Sequence, residues 1–95
     1  MLKVVWSELS LQRIEEICEY IEMDSINASI EFANKIFGKE ELLKSNPKIG
    51  RIVPDYGNEE YRQIIIGNYR LVYRLIGKLI LIHTVRHCKQ NGIIE

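Results

Sequence analysis

The chain has 95 residues, 46% hydrophobic and 27% charged, a composition that predicts one soluble globular domain over residues 1–95 with room for a single core. Thirteen Lys/Arg balance thirteen Asp/Glu, which on its own argues against a general nucleic-acid binder. No apolar run approaches the roughly 20 residues that span a bilayer. No signal peptide is expected, and the lone Cys18 and Cys88 have the spacing of neither a disulfide framework nor a zinc site; a cytoplasmic protein with reduced thiols is expected.

In chain order, residues 2 to 6 predict a short strand, after which Ser7 offers a helix N-cap with Glu8 in the first turn. Leu11, Ile14, Ile17, Cys18 and Ile21 recur at helical spacing and form one apolar stripe. The pattern breaks over residues 24 to 27, as a tight connection between antiparallel helices requires. A second helix then runs from about residue 28 to 44 with Ala33, Ile36, Phe37 and Leu43 inward, and Gly38 and Glu40 as weak points of that face. Asn46-Pro47 ends it. Pro54 confines residues 51 to 53 to a sheet edge or a loop. Three strands follow, near 60–66, 69–76 and 79–87, joined by Gly67-Asn68 and Gly77-Lys78, pairs that suit type II′ turns. The fold class is therefore α+β, a helical hairpin packed on one face of a small antiparallel sheet.

The two turns set a register. Ile66 pairs with Tyr69, Ile64 with Leu71 and Arg62 with Tyr73; in the second hairpin Ile76 pairs with Leu79, Tyr73 with Ile82 and Leu71 with Thr84. One face then carries Ile64, Ile66, Leu71, Tyr73, Leu75, Ile80 and Ile82 and takes the helices. The other carries Arg70, Val72, Arg74, Ile76, Leu79, Leu81, His83, Val85 and His87. A one-residue slip would exchange the faces, but burying Arg70 and Arg74 under helices without partners would cost several kcal/mol. Arg62 is expected on the helix face as a structural residue paired with a carboxylate of the first helix or the loop, and Tyr73 in the core with its hydroxyl satisfied. Arg86 is placed on the helix side near the sheet end.

Charge is unevenly distributed. Residues 1–46 hold five Lys/Arg and nine Asp/Glu, net −4, and residues 47–95 hold eight and four, net +4. The β-rich half is the basic half. A solvated face whose arginines interrupt the apolar residues is the plain reading of the open side. The patch of Val72, Ile76, Leu79, Leu81 and Val85 favours instead a covering protein partner, and arginine beside histidine also has the equipment to hold a phosphate and deliver a proton. A metal site is not expected: on a strand, His83 and His87 stand about 13 Å apart. Cys88 carries only a weak signal for a nucleophile.

Val5-Trp6-Ser7 opening a helix, Ile17 to Ile21 in its body, Leu43 with Pro47, Gly50-Arg51-Ile52-Val53-Pro54, Arg62, Asn68-Tyr69-Arg70-Leu71-Val72-Tyr73-Arg74 and Thr84-Val85-Arg86-His87 together resemble the RelE/ParE superfamily of type II toxins over nearly the whole chain. The resemblance implies a cognate antitoxin that wraps and neutralises the toxin, with no cofactor. Members similar to RelE cut messenger RNA on the ribosome; those similar to ParE poison DNA gyrase and are not known as nucleases. Arg70 matches the arginine that lies at the scissile phosphate in nuclease members, and Arg86 and His87 fall where these carry C-terminal catalytic groups. Against that branch, Gly57-Asn58-Glu59-Glu60 stands where a lysine-rich stretch would be, and a C-terminal catalytic tyrosine is missing. The Gly50–Pro54 segment and the first-helix pattern are closer to ParE. The expectation is thus a gyrase-directed toxin in which Arg51, Arg70, Arg74, Val72, Leu79, Leu81, His83 and Val85 contact target or antitoxin, with a ribosome-dependent endoribonuclease using Arg70, His87 and Arg86 as one alternative and a non-toxic antitoxin-binding relic as another.

Overall fold

Ser7 ends the first strand and opens the first helix in the computed structural model of the protein, which describes residues 2–89. The elements are β1 (Lys3–Trp6), α1 (Glu8–Glu22), α2 (Ile26–Ser45), β2 (Arg51–Ile52), a 3-10 turn (Pro54–Tyr56), β3 (Tyr61–Ile66), β4 (Tyr69–Ile76) and β5 (Leu79–His87). The Ser7 hydroxyl accepts the Ser10 amide at 3.0 Å, and Ser25 does the same for Ala28 at 3.1 Å. This second cap, absent from the sequence expectation, starts α2 two residues earlier than expected.

The five strands lie in the order β1-β5-β4-β3-β2, with both helices on one face. The α+β arrangement is the expected one, and the sheet is mixed because β1 joins β5 in parallel. Gly67 and Gly77 adopt φ of 60° and 57°, while no other residue type among those described has positive φ. Positive φ at only the first turn position is the type II′ pattern, which matches the twist of the flanking strands. The β3–β4 register is the predicted one, with Ile66 opposite Tyr69, Ile64 opposite Leu71 and Arg62 opposite Tyr73.

The second hairpin departs from prediction half-way along. Ile76 pairs with Leu79 and Tyr73 with Ile82, but Val72 then pairs with Thr84 and Leu71 with Val85. His83 is the extra residue of a β-bulge, and beyond it every side chain of β5 changes face. Val85 is consequently a core residue at 0% exposure and His87 faces the helices, both contrary to expectation; Arg86 moves the other way, onto the open face.

Leu71, Tyr73, Ile80, Ile82 and Val85 form the sheet side of the core, and Ile14, Phe32, Ile36 and Leu43 the helix side. Each such buried aliphatic side chain contributes about 1.5–3 kcal/mol. Phe32, rather than Phe37, is the aromatic residue of the α2 core: Phe37 lies 44% exposed against Trp6, ring centroids 4.9 Å apart. Glu40 interrupts the apolar face of α2 for a reason the structure supplies, since its carboxylate accepts the Trp6 indole N–H at 2.8 Å and also pairs with Lys44.

At the far side of the sheet Tyr73 ties down the chain between α2 and β2. Its hydroxyl donates to the Pro47 carbonyl at 2.7 Å and accepts the Gly50 amide at 2.9 Å, while burial pushes the phenol pKa up. Arg62 donates to the carbonyls of Gly50 at 2.8 Å and Lys48 at 3.3 Å. Its partners are thus backbone oxygens and not the carboxylate that the sequence suggests. Gly50 is required at this point because a Cβ there would lie 2.7 Å from two Tyr73 side-chain atoms and 2.9 Å from the Gln63 carbonyl.

Two outcomes follow from these contacts. Gly50→Ala should lower the unfolding free energy by about 1–3 kcal/mol, the usual cost of overpacking, measured by urea denaturation, because the Gln63 carbonyl is strand backbone and cannot give way. The Trp6 hydrogen bond, and secondarily Lys44, lower the Glu40 pKa. The stability this contributes is full above the ordinary carboxylate pKa and is lost as pH falls through the lowered folded-state value. Glu40→Gln should therefore flatten the acid limb of the stability–pH profile, and an unchanged limb would show that the contact does not persist in solution.

Candidate functional site

The face turned away from the helices is built from alternate residues of each strand. Tyr61, Gln63 and Ile65 come from β3 and Arg70, Val72, Arg74 and Ile76 from β4. From β5 come Leu79 and Leu81 before the bulge, and Thr84 and Arg86 after it. Arg51 joins from β2, opposite Gln63, and Lys3 and Val5 from β1, opposite Leu79 and Leu81.

Arg70 and Arg86 are direct cross-strand neighbours, and this pair exists only because the bulge turns Arg86 outward. The Arg70 guanidinium donates to Gln63 Oε1 at 3.1 Å and to the Cys88 carbonyl at 2.9 Å. Both acceptors are uncharged, so these bonds orient the group without cancelling its charge. Arg86 is 5% exposed, so it lies buried beside Arg70 rather than on the surface.

Arg74 has a different fate. Its Nε and Nη2 donate to one Glu60 oxygen at 3.0 and 2.8 Å, and the guanidinium lies 5.5 Å from the Tyr61 ring centroid. The Glu60 bond pushes its pKa up, and the pair neutralises itself at the surface, where such bridges contribute little to stability. Arg51 is exposed at the β2 edge.

An aromatic cover over this face was not foreseen. The Tyr56 ring lies 4.7 Å from Tyr61 and 6.0 Å from His83, and Tyr61 lies 5.7 Å from His83. Because β4 separates the strands that carry Tyr61 and His83, Tyr56 must reach across it. Pro54-Asp55-Tyr56-Gly57 reads as a turn, with Gly57 at φ 63°, but nothing local tells where a turn folds. Val72 is 1% and Thr84 0% exposed although both belong to the open face. The apolar patch offered to a partner thus shrinks: Val72 is covered, Val85 belongs to the core, and Leu79, Leu81, Ile76 and Val5 remain at the surface.

His87 does not join the arginines. It stands on the opposite face, edge-on to Tyr69 at 5.2 Å, while Tyr69 in turn packs against Phe32 at 5.0 Å. Its Nδ1 accepts the Lys89 amide at 3.0 Å. Arg70, Arg86 and His87, expected together if the chain were a nuclease, are split by the sheet. Among the described residues no group of three or more His, Cys, Asp or Glu is placed to hold a metal ion, and no helix is long and apolar enough to cross a membrane.

Residues 4–92 match the family model described as ParE toxin of type II toxin-antitoxin system, parDE. The chain belongs to the ParE toxin family. Comparison with curated protein sequences gives no match. Among solved structures, the chain is similar to one described as the chromosomal ParDE TA system from P. aeruginosa, with 16% identity, a TM-score of 0.75 and coverage of 92% of this chain and 96% of that one. At that identity the likeness speaks to fold, and it supports the same two-helix, five-strand architecture for a ParE toxin. Membership of a type II toxin family is thus established by the family match.

The bulge that assembles this face is pinned by Ser7, whose hydroxyl donates to the His83 carbonyl at 2.8 Å while capping α1. Ser7→Ala should therefore cost about 1–2 kcal/mol through the lost cap and the orphaned carbonyl. Amide exchange near residues 82–84 should accelerate more than exchange in β3; equal acceleration everywhere would mean that the serine stabilises only the helix.

Proposed function

We propose that this chain is the toxin of a type II toxin–antitoxin pair that inhibits DNA gyrase by binding it, and that a cognate antitoxin protein neutralises it in the cytoplasm. The family match over residues 4–92 carries the reading, since it falls on the ParE branch rather than the nuclease branch. The placement of His87 across the sheet from Arg70 supports it further. Cleavage by general acid chemistry needs both groups within reach of one phosphate, and here they act on different sides. Arg51, Arg70, Arg74, Leu79, Leu81 and His83 then form the contact surface for target or antitoxin. Arg70 is its centre because its guanidinium is oriented by uncharged acceptors.

Purified protein should inhibit supercoiling by gyrase in vitro and leave cell-free translation intact. Arg70→Ala should keep the far-UV spectrum and lose inhibition by about tenfold or more, the equivalent of about 1.4 kcal/mol; Arg70→Lys should rescue poorly because an ammonium lacks the guanidinium fork. Arrest of translation with supercoiling untouched would assign the chain to RNA cleavage. Normal growth on expression with neither assay affected would make it a non-toxic antitoxin binder.

A further inference from the structure

Helix α2 has two apolar faces, and the sheet uses only one. Phe32, Ile36 and Leu43 are buried beneath it, whereas Ile26 is 67%, Ile30 54% and Phe37 44% exposed. With the half-buried Ala33 these residues stand four, three and four positions apart, the alternation of a coiled-coil seam. At 3.6 residues per turn the seam lies roughly 100° around the helix from the buried face. Met23, 81% exposed, adds apolar surface at the same end of the helix. Monomeric proteins rarely leave so ordered an apolar stripe in water.

We propose that this seam is a two-fold interface between copies of the chain, with α2 of one packed antiparallel on α2 of the other and crossing at Ala33. In that arrangement Ile30 of each copy meets Phe37 of the other, and the small Ala33 lets the helices approach closely at the axis. The charge along the helical layer selects the antiparallel sense. Residues 19–24 carry Glu19, Glu22 and Asp24 and no base, while residues 39–48 carry Lys39, Lys44 and Lys48 against Glu40 and Glu41. Antiparallel packing sets the acidic end of one copy over the more basic end of the other, and parallel packing would set like on like. The four large side chains present on the order of 400 Å² per copy, so with a polar rim the pair buries about 1,000 Å², the lower limit of a specific interface. The dimer is accordingly weak and reversible. Because the contact lies in the helical layer, it leaves the Arg70 face of each copy uncovered and does not depend on what that face binds.

Sedimentation velocity on the purified chain across the micromolar range should show the mass rising from 11.2 kDa toward twice that value. Ile30→Glu should remain monomeric at every concentration, with association weakened by about tenfold or more and an unchanged melting curve; Ile26→Glu serves if that variant does not fold. In a background with Cys18 and Cys88 replaced by alanine, Ala33→Cys should oxidise to a symmetric cross-linked dimer and Lys35→Cys, on the other side of the helix, should not. A wild-type chain that stays monomeric at the highest concentration overturns the proposal, as does unaltered dimerisation of Ile30→Glu. Loss of antitoxin binding by Ile30→Glu against a strictly monomeric wild type would give the seam to the antitoxin instead.

Discussion

The hydrogen bond from the Ser7 hydroxyl to the His83 carbonyl joins the start of the first helix to the one point where β5 holds a residue that β4 does not match. Without the extra residue, the alternation that puts Ile80 and Ile82 in the core would continue to Thr84 and Arg86. A guanidinium would then be directed under the helices at a cost of several kcal/mol, and Val85 would face out. The bulge lets one strand serve the core along its whole length and still deliver an arginine to the open face. The core and the open face share this requirement, because the same shift that buries Val85 creates the Arg70–Arg86 pair.

A second constraint works at the opposite side of the sheet, where the Tyr73 hydroxyl and the Arg62 guanidinium satisfy backbone groups of residues 47–50. These bonds fix the approach to the two-residue strand β2 and so the position of Arg51. The arginines of the sheet illustrate how surroundings divide one residue type into several roles. Arg62 braces a loop, Arg74 is neutralised by Glu60, and Arg70 is oriented by uncharged oxygens. Arg70 differs from Arg74 in that its hydrogen bonds orient the guanidinium without cancelling its charge.

What could be read in advance was whatever depended on near neighbours. Gly67 and Gly77 mark their hairpins because only glycine takes positive φ cheaply at the first turn position; from there, counting outward places Arg62 beside Tyr73 and Arg70 on the open face. Ser7 was equally plain as a cap. The counting fails at His83, since no residue type signals a bulge, and with it went the sides of Val85, Arg86 and His87. Tyr56 was missed for the related reason that a turn says little about where its side chains land. On α2, two apolar stripes overlap in sequence, so periodicity selects Phe37 for the core where Phe32 serves; periodicity finds the faces of a helix, and only the neighbouring sheet decides between them.

The position of β5 has a bearing on how the toxin comes into being. The last of the described strands is an interior one, hydrogen-bonded on one side to β4 and on the other to β1, the first of them. Pairing across nearly the full chain is entropically slow to form. Until residues 79–87 leave the ribosome, the helices have no complete floor to pack on, β1 has no strand to join, and Arg86 has not reached Arg70. A nascent or truncated chain therefore holds all the helical surface and none of the finished cationic face. The order in which these strands are made thus completes the cationic face only after β5 has emerged.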